Sequence, residues 1–296
     1  MNYAVIDIGS NTVKCEIFKY EYTSIKSIDF ITEQFYLISR LKNGIFSNED
    51  IKALCSLINS YIYAAKKYNA VTYCFGTQSL RSIKNIDEVT KSIFKNTSLN
   101  PELISGNDEA LLSFEGFLAE GTCIDNGTMI DMGGGSTEIL WFEDKKVKNL
   151  NSFEFGCLSL KKEFVKNKFP SDREKTDIRN KVIKELSYYD WIKNSDTVCF
   201  IGGTGSAIAT LTKALEISNS SLLSIEAFNS LFERLETPTE DIIELFNKYI
   251  PARAQTILPG ITAYKAILES VNAKNIYISK GGIRNGYIYR KINGEL

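Results

Sequence analysis

The sequence contains no histidine. This excludes a Ser-His-Asp triad, a Cys-His nucleophile pair, a phosphohistidine intermediate and a His-ligated zinc site. Acid–base work must fall to carboxylates, lysine, tyrosine or cysteine. Any metal must take oxygen ligands, which suits magnesium. The six cysteines form no CxxC pair, so reduced, mostly buried thiols in a reducing cytosol are expected. No apolar run approaches the ~18 residues of a membrane span. The opening MNYAVIDIGSNT lacks a basic segment followed by an apolar one, so it does not read as a signal peptide and a cytoplasmic protein is expected. Formal net charge is −1, which gives no general attraction to nucleic acid or anionic membranes. An anionic substrate must therefore be held by a local site.

The chain has 296 residues, more than one core usually holds, so two domains are expected. Residues 3–8 read as an apolar strand ending at Asp7. Gly9, Ser10 and Asn11 break it, and VKCEIFKY reads as a second, half-buried strand. Ile51, Leu54, Cys55, Ile58 and Ile62 repeat at helical spacing within 48–67. AVTYCFG is a strand, a helix runs from Ile86 to about Phe94, and another begins near Asn107. TMIDMGGGSTEILWFED repeats the plan of AVIDIGSNTVKCEIFKY, which suggests a duplicated chain with its second copy starting near 124. TVCFIGGTGSAIATL and NIYISKGGIRNGYIY both read as strand, Gly-Gly turn and helix. Residues 160–195 are charged and helical, with Pro170 and Ser171 opening a helix. Strands alternating with helices, and no linker, indicate two closely joined α/β domains with a cleft between.

Three glycine-rich turns carry the chemistry. In the first, Asp7 ends a strand and Gly9 lets backbone approach a bound group, so that Ser10, Asn11 and Thr12 can hold phosphate oxygens. A plain hairpin turn would use the same residues. In the second, Asp131 is followed by Gly133, Gly134, Gly135, Ser136, Thr137 and Glu138. Three successive glycines cost backbone entropy and make sense where amides converge on an anion. The third, Gly202, Gly203 and Thr204, starts a helix and offers unbonded N–H groups at a positive dipole end. Close packing of helix on strand would also ask for glycine there. Glu109, just after a turn, reads by itself as an acid favoured by a helix N-terminus.

DIGSNT and DMGGGSTE, in that order and one domain apart, resemble the two phosphate loops of the actin–hexokinase–Hsp70 superfamily. Within it the chain resembles the exopolyphosphatase/guanosine pentaphosphate phosphohydrolase (Ppx/GppA) family. GTQSLRSIKN resembles the family's ATSAxRxAxN and places Thr77, Ser79, Arg81 and Asn85 in register. ISGNDEA resembles ISGxxEA and places Glu109. RAQTILPG and GGIRNG resemble RADxxxxG and GGxRxG. The resemblance covers nearly the whole chain, in a short two-domain form. It implies two actin-like (ribonuclease H-like) α/β domains with an interdomain active-site cleft, one spanning 1–123 and the other 124–285, with a helix over 286–296 packing back on the first. It implies Glu109 as general base, Asp131 as a magnesium- or water-positioning carboxylate with Glu138 nearby, Asp7 sharing the metal, and Arg81 binding phosphate oxygens. Leu111 stands where the family usually has Arg, Ser159 replaces the Arg of GxxRLTE, and Gln255 replaces the Asp of RAD.

The expected activity is removal of a terminal phosphate from polyphosphate or of the 5′ phosphate of guanosine pentaphosphate, with Mg2+ as cofactor and a homodimer as the family's common state. A small-molecule kinase or ATPase of the same superfamily, or a non-catalytic polyphosphate or alarmone sensor, are the alternatives. The lost charges at 111, 159 and 255 motivate the last of these.

Overall fold

The computed structural model describes residues 1–22, 24–192 and 195–296. In chain order the elements are β1 (Asn2–Ile8), β2 (Thr12–Glu21), β3 (Ser24–Gln34), α1 (Leu37–Arg40), α2 (Asn48–Lys66), β4 (Val71–Gly76), α3 (Gln78–Arg81), α4 (Ile86–Thr97), β5 (Glu102–Leu103) and α5 (Gly106–Ala119). They continue as β6 (Gly127–Met132), β7 (Thr137–Glu143), β8 (Lys146–Phe153), α6 (Cys157–Phe164), α7 (Asp172–Leu186), β9 (Thr197–Ile201), α8 (Gly202–Ala214), β10 (Leu222–Ser224), α9 (Ile225–Glu236), α10 (Glu240–Tyr249), α11 (Ile257–Ser270), β11 (Asn275–Ile278) and α12 (Ile283–Asn293). Two compact units result: Met1–Glu109 with Arg284–Leu296, and Ala110–Ile283.

The first unit is built on a five-stranded sheet in the order β3-β2-β1-β4-β5. β1 and β2 form an antiparallel hairpin, whereas β4 runs parallel to β1. β1 is apolar and buried because it lies centrally, with a strand on either side. Helix α2 presents Ile51, Leu54, Cys55 and Ile58 to this sheet, and all are buried. Its start is fixed by Ser47, whose hydroxyl accepts the N–H of Asp50 at 3.2 Å. Near the chain's end, α12 brings Tyr287 against Phe75, ring centroids 4.7 Å apart, and pairs Lys291 with Glu102 at 2.6 Å.

The second unit repeats the plan. Its sheet runs β10-β11-β9-β6-β7-β8. Read from the other edge, β8-β7-β6-β9-β11 follows the same order as the first sheet: an antiparallel three-strand meander, then two parallel strands. β10 adds an antiparallel edge. This mixed α/β architecture, twice over, is the actin-like fold. Helix α7 starts on a capping box in which the Ser171 N–H donates to Glu174 at 2.8 Å. Helix α11 is buried along most of its length, from Ile257 to Leu268. Glycine permits one very close approach in this unit, since a Cβ at Gly116 would lie 2.1 Å from the carbonyl oxygen of Gly282.

Two segments departed from the sequence pattern. β3 is a long strand where the sequence shows only mixed charged and apolar residues, because as an edge strand it is exposed along most of its length. Helix α12 begins at Ile283, so the second Gly-Gly turn leads straight into it.

Candidate active site

The turns after β1 and β6 have the same construction. The Gly9 N–H donates to the Thr12 carbonyl at 3.1 Å, and the Gly133 N–H to the Ser136 carbonyl at 3.0 Å. Each turn lies between the first two strands of its sheet. In the second unit, helix α6 stands behind the loop. Cys157 N–H donates to the Gly133 carbonyl at 3.1 Å, and Leu158 and Ser159 N–H both donate to the Gly134 carbonyl. The Ser159 hydroxyl lies 3.4 Å from the Gly135 carbonyl. Among the described residues all peptide bonds are trans, and a trans peptide sets N–H opposite C=O. The amides of Gly134, Gly135 and Ser136 therefore face away from α6, as a run of donors suited to an anion.

The first unit reaches the same result with different parts. Phe35 and Tyr36 N–H donate to the Asn11 carbonyl at 3.0 and 2.9 Å, and Ile38 N–H approaches the Ser10 carbonyl at 3.5 Å. The amides of Asn11 and Thr12 are thereby turned the other way. Tyr36 adopts a left-handed backbone conformation, φ 51°, to make this turn before α1.

The two hairpins differ in charge. Asp7 stands opposite Lys14 across β1 and β2, and its carboxylate also takes Arg284 Nη1 at 3.1 Å. Asp131 stands opposite Glu138 across β6 and β7. Directly opposed residues on an antiparallel pair point to one face, and like charges there are unfavourable without a cation. Both carboxylates receive a serine hydroxyl: Ser113 donates to Asp131 at 2.6 Å and Ser152 to Glu138 at 2.8 Å. One or two carboxylates with water suffice for magnesium, so this pair fits it. Asp7 is charge-compensated within its own unit by Lys14 and Arg284. No cluster of three or more acids or thiols among the described residues could hold a metal.

Helix α8 supplies the third turn. Gly202 has φ +76°, and a Cβ there would lie 2.3 Å from Asp131 Oδ1. A Cβ on Gly203 would lie 2.1 Å from Arg253 Nη2. The Thr204 hydroxyl donates to the Met132 carbonyl at 3.0 Å, and the Thr137 hydroxyl to the Phe155 carbonyl at 2.6 Å. Both threonines are fully buried and hold the loop in place. Behind them, Gly260 of α11 lies close enough that a Cβ would meet Thr204 at 2.9 Å and Cys157 at 3.2 Å. Asp131, Gly133 to Thr137, Glu138, Gly202, Gly203 and Thr204 thus lie around one corner of the second unit.

In the first unit, Arg81 Nη1 lies 3.7 Å from Glu109 Oε2, and their side chains are 28% and 13% exposed. Arg81 also donates to the Ile104 carbonyl. Glu109 occupies the first turn of α5, which Ser105 caps by accepting the Asp108 N–H at 3.1 Å. A negative charge in the first turn of a helix is favourably placed. Ser79 ties α3 to the end of β1 through the Ile8 carbonyl at 3.2 Å. Asn85 is structural: it exchanges hydrogen bonds with both backbone groups of Phe46.

Two arginines had been given no role from sequence, although both lie in quoted motifs. Arg284, of GGIRNG, binds Asp7 and Glu16, the latter at 2.7 Å. Arg253, of RAQTILPG, donates to the Thr204 hydroxyl at 3.1 Å and faces Cys157 Sγ at 3.5 Å. Their signal was an arginine beside a glycine-rich or helix-opening segment.

Residues 36–295 match the model of the Ppx/GppA phosphatase family. A bifunctional 3-dehydroquinate synthase/phosphatase from Fusobacterium nucleatum is 24% identical over 99% of the chain and 47% of its own length. A guanosine-5′-triphosphate,3′-diphosphate pyrophosphatase from Aeromonas salmonicida is 27% identical over 72% of the chain and 43% of its own length. The chain thus spans about half the length of these curated relatives. An exopolyphosphatase from Cytophaga hutchinsonii, solved as a crystal structure, superposes with TM-score 0.85 at 20% identity, covering 99% of this chain and 98% of that one. No helix among the described residues is long and apolar enough to cross a membrane.

Proposed function

The chain belongs to the Ppx/GppA phosphatase family, and from that premise we propose that it hydrolyses a terminal phosphoanhydride bond of inorganic polyphosphate, of guanosine pentaphosphate, or of both. The observation that carries this reading is the repeated hairpin. Gly9 to Thr12 and Gly133 to Ser136 have the same closing hydrogen bond, and a backing element turns the amides of each outward. Phosphoryl transfer asks chiefly for such fixed donors around the phosphate oxygens. Names of relatives support the two substrates: one is a guanosine-5′-triphosphate,3′-diphosphate pyrophosphatase, another structure is an exopolyphosphatase.

In this mechanism Glu109, set in the first turn of α5 beside Arg81, orients a water and takes its proton. The water oxygen forms a bond to the terminal phosphorus. The bond from that phosphorus to the bridging oxygen breaks, and the electron pair leaves with the shortened phosphate chain. Arg81 binds oxygens of the transferred group. Gly9, Ser10, Asn11 and Thr12 of the first unit offer donors for phosphate oxygens, as do Gly133, Gly134, Gly135 and Ser136 of the second. Gly202 and Gly203 add the α8 terminus, and Thr137 and Thr204 keep the second loop in shape. Asp131 and Glu138 would hold magnesium, which when bound neutralises substrate charge. Asp7, neutralised by Arg284, sets the first loop.

The test is phosphate release by the full chain from tripolyphosphate, longer polyphosphate, guanosine pentaphosphate and ATP, with magnesium and with chelator. Release from polyphosphate or from guanosine pentaphosphate, lost with chelator and reduced about 10²- to 10⁴-fold in Glu109→Gln, is expected. A folded protein that releases phosphate from none of them overturns the reading.

A further inference from the structure

The second unit contains a hollow of about 460 Å³, at the lower end of the range for small-molecule sites. One wall is a face of α8, where Ser206, Thr210 and Lys213 recur at helical spacing over about 10 Å. The loop 218–221 and the end of β11, Ile278 to Lys280, supply the rest. All of this lining belongs to the second unit, and none of it to the glycine-rich loops.

Hydrogen bonding sorts the lining into two kinds. The Ser206 hydroxyl donates to the Gly202 carbonyl at 3.0 Å, Thr210 to the Ser206 carbonyl at 2.9 Å, and Ser279 to the Gly281 carbonyl at 3.0 Å. Their protons are engaged, and their oxygens remain as acceptors. The loop is the reverse. Ser218 Oγ accepts the Ser220 N–H at 3.1 Å and Ser220 Oγ accepts the Leu222 N–H at 3.0 Å, so both hydroxyls keep a proton to donate. The charge is one-sided. Among the described residues Lys213 and Lys280 border the hollow, no acid does, and neither lysine makes an ion pair. No aromatic side chain lines it; its apolar residues are Ala209 and Ile278.

Each feature selects for a ligand property. Two ammonium groups without an acid call for an anion, and lysine is a point-charge binder of phosphate. The acceptor oxygens on α8 call for ligand hydroxyls. With no aromatic face, nothing is present to stack a nucleobase. We propose that this hollow binds a small phosphorylated sugar, its phosphate drawn to Lys213 and Lys280 and its hydroxyls to Ser206, Thr210, Ser218 and Ser220. The site goes beyond the phosphatase reading, because it needs neither a phosphoanhydride nor magnesium. Ser206 also ties it to the α8 turn through Gly202.

The test is calorimetric titration of the full chain with glucose 6-phosphate, glucose, inorganic phosphate and AMP. Glucose 6-phosphate should bind once per chain, and glucose and phosphate at least about tenfold more weakly, since each offers part of the recognised groups. Lys213→Gln and Lys280→Gln should each weaken glucose 6-phosphate binding about tenfold, and Ser220→Ala about three- to tenfold. All three side chains are exposed, and thermal melting checks folding. Tripolyphosphate with magnesium should not displace the sugar phosphate, and both lysine variants should release phosphate as the wild type does. Four results would each overturn the site: no binding at millimolar glucose 6-phosphate, equal binding of inorganic phosphate, tighter binding of AMP, or displacement by tripolyphosphate. If the protein binds glucose 6-phosphate in a lysine-dependent way yet releases phosphate from no substrate, the hollow stands and the phosphatase reading falls.

Discussion

Arg284 donates to the carboxylate of Asp7 at 3.1 Å, although 277 positions separate them in the chain. The same guanidinium reaches Glu16 on the neighbouring strand. Its side chain is 19% exposed, and those of Asp7 and Glu16 are 7% and 11% exposed. The last helix is thus tied to the first hairpin by charge, and to β4 and β5 by the Tyr287 and Lys291 contacts.

Arg284→Met should cost about 3–5 kcal/mol of stability, because it takes the guanidinium from buried Glu16 and leaves buried Asp7 only the more distant Lys14. The double variant with Asp7→Asn should recover part of that loss. Urea unfolding of the four proteins in the cycle measures this. Additive losses would mean that the contact is incidental.

Gly202 and Gly121 form a matched pair. Both have left-handed backbones, φ +76° and +74°. A Cβ on Gly202 would strike Asp131, whereas one on Gly121 would meet nothing within 4 Å. Alanine at either site should cost about 1–2 kcal/mol in backbone strain. Only Gly202→Ala should also move Asp131 and lower phosphate release by about tenfold or more. Equal activity in the two variants would separate the α8 turn from catalysis.

Much of this was legible in the sequence because glycine and acids mark tight turns at strand ends. The hairpins at Asp7 and Asp131, the strand–turn–helix at Gly202, and α2 with its buried Ile51, Leu54 and Ile58 all followed from local pattern. The duplication was legible too, as like motifs one domain apart, and like sheet orders accompany it. Less visible were features that depend on distant partners. β3 lacks strand alternation because neither face is consistently covered. Helix α11 is buried nearly all round, so its residues show no polar stripe to reveal a helix. Arg253 and Arg284 acquire their roles only through Thr204, Cys157, Asp7 and Glu16, and no sequence spacing announces those contacts. The charge difference between the two hairpins, Lys14 in one and Glu138 in the other, also needed the strand register before it meant anything.

The thiols should sort by burial. Cys15, Cys55, Cys74, Cys157 and Cys199 are buried, and Cys123 is exposed. Burial, with Asp29 and Glu16 adding to it, pushes Cys15 up to about 12, and burial raises Cys74 and Cys199 as well. Since the thiolate is the reactive form, a thiol reagent at neutral pH should label Cys123 rapidly and the other positions only on unfolding. Mass spectrometry before and after denaturant reads the result. Fast native labelling at Cys15 would contradict the packing of β2.

Helix α7 offers a pH test. Glu174 accepts from the backbone of Ser171 and Lys166, and these bonds hold its carboxyl below the ordinary value. A depressed folded pKa stabilises the protein above the unfolded carboxylate value, and the contribution is lost as pH falls through the folded value. Glu174→Gln should therefore melt lower than wild type at pH 7, and the gap should close as pH drops below about 4. A gap that persists in acid would mean the box acts through shape, not charge.

The opposed pair Asp131 and Glu138 gives the sharpest test of metal binding. Without a cation, two carboxylates facing each other across β6 and β7 repel, so Glu138→Gln should raise the melting temperature in chelator. With magnesium the order should reverse. A ligand that binds only the folded state stabilises it in proportion to the logarithm of its concentration. The wild-type protein should therefore gain several degrees at millimolar magnesium, and Glu138→Gln should gain little. Asp7→Asn, which alters a carboxylate already matched by Arg284 and Lys14, should lose stability while keeping the magnesium response. If magnesium stabilises all three proteins alike, the ion is held elsewhere and the pairing of Asp131 with Glu138 needs another cause.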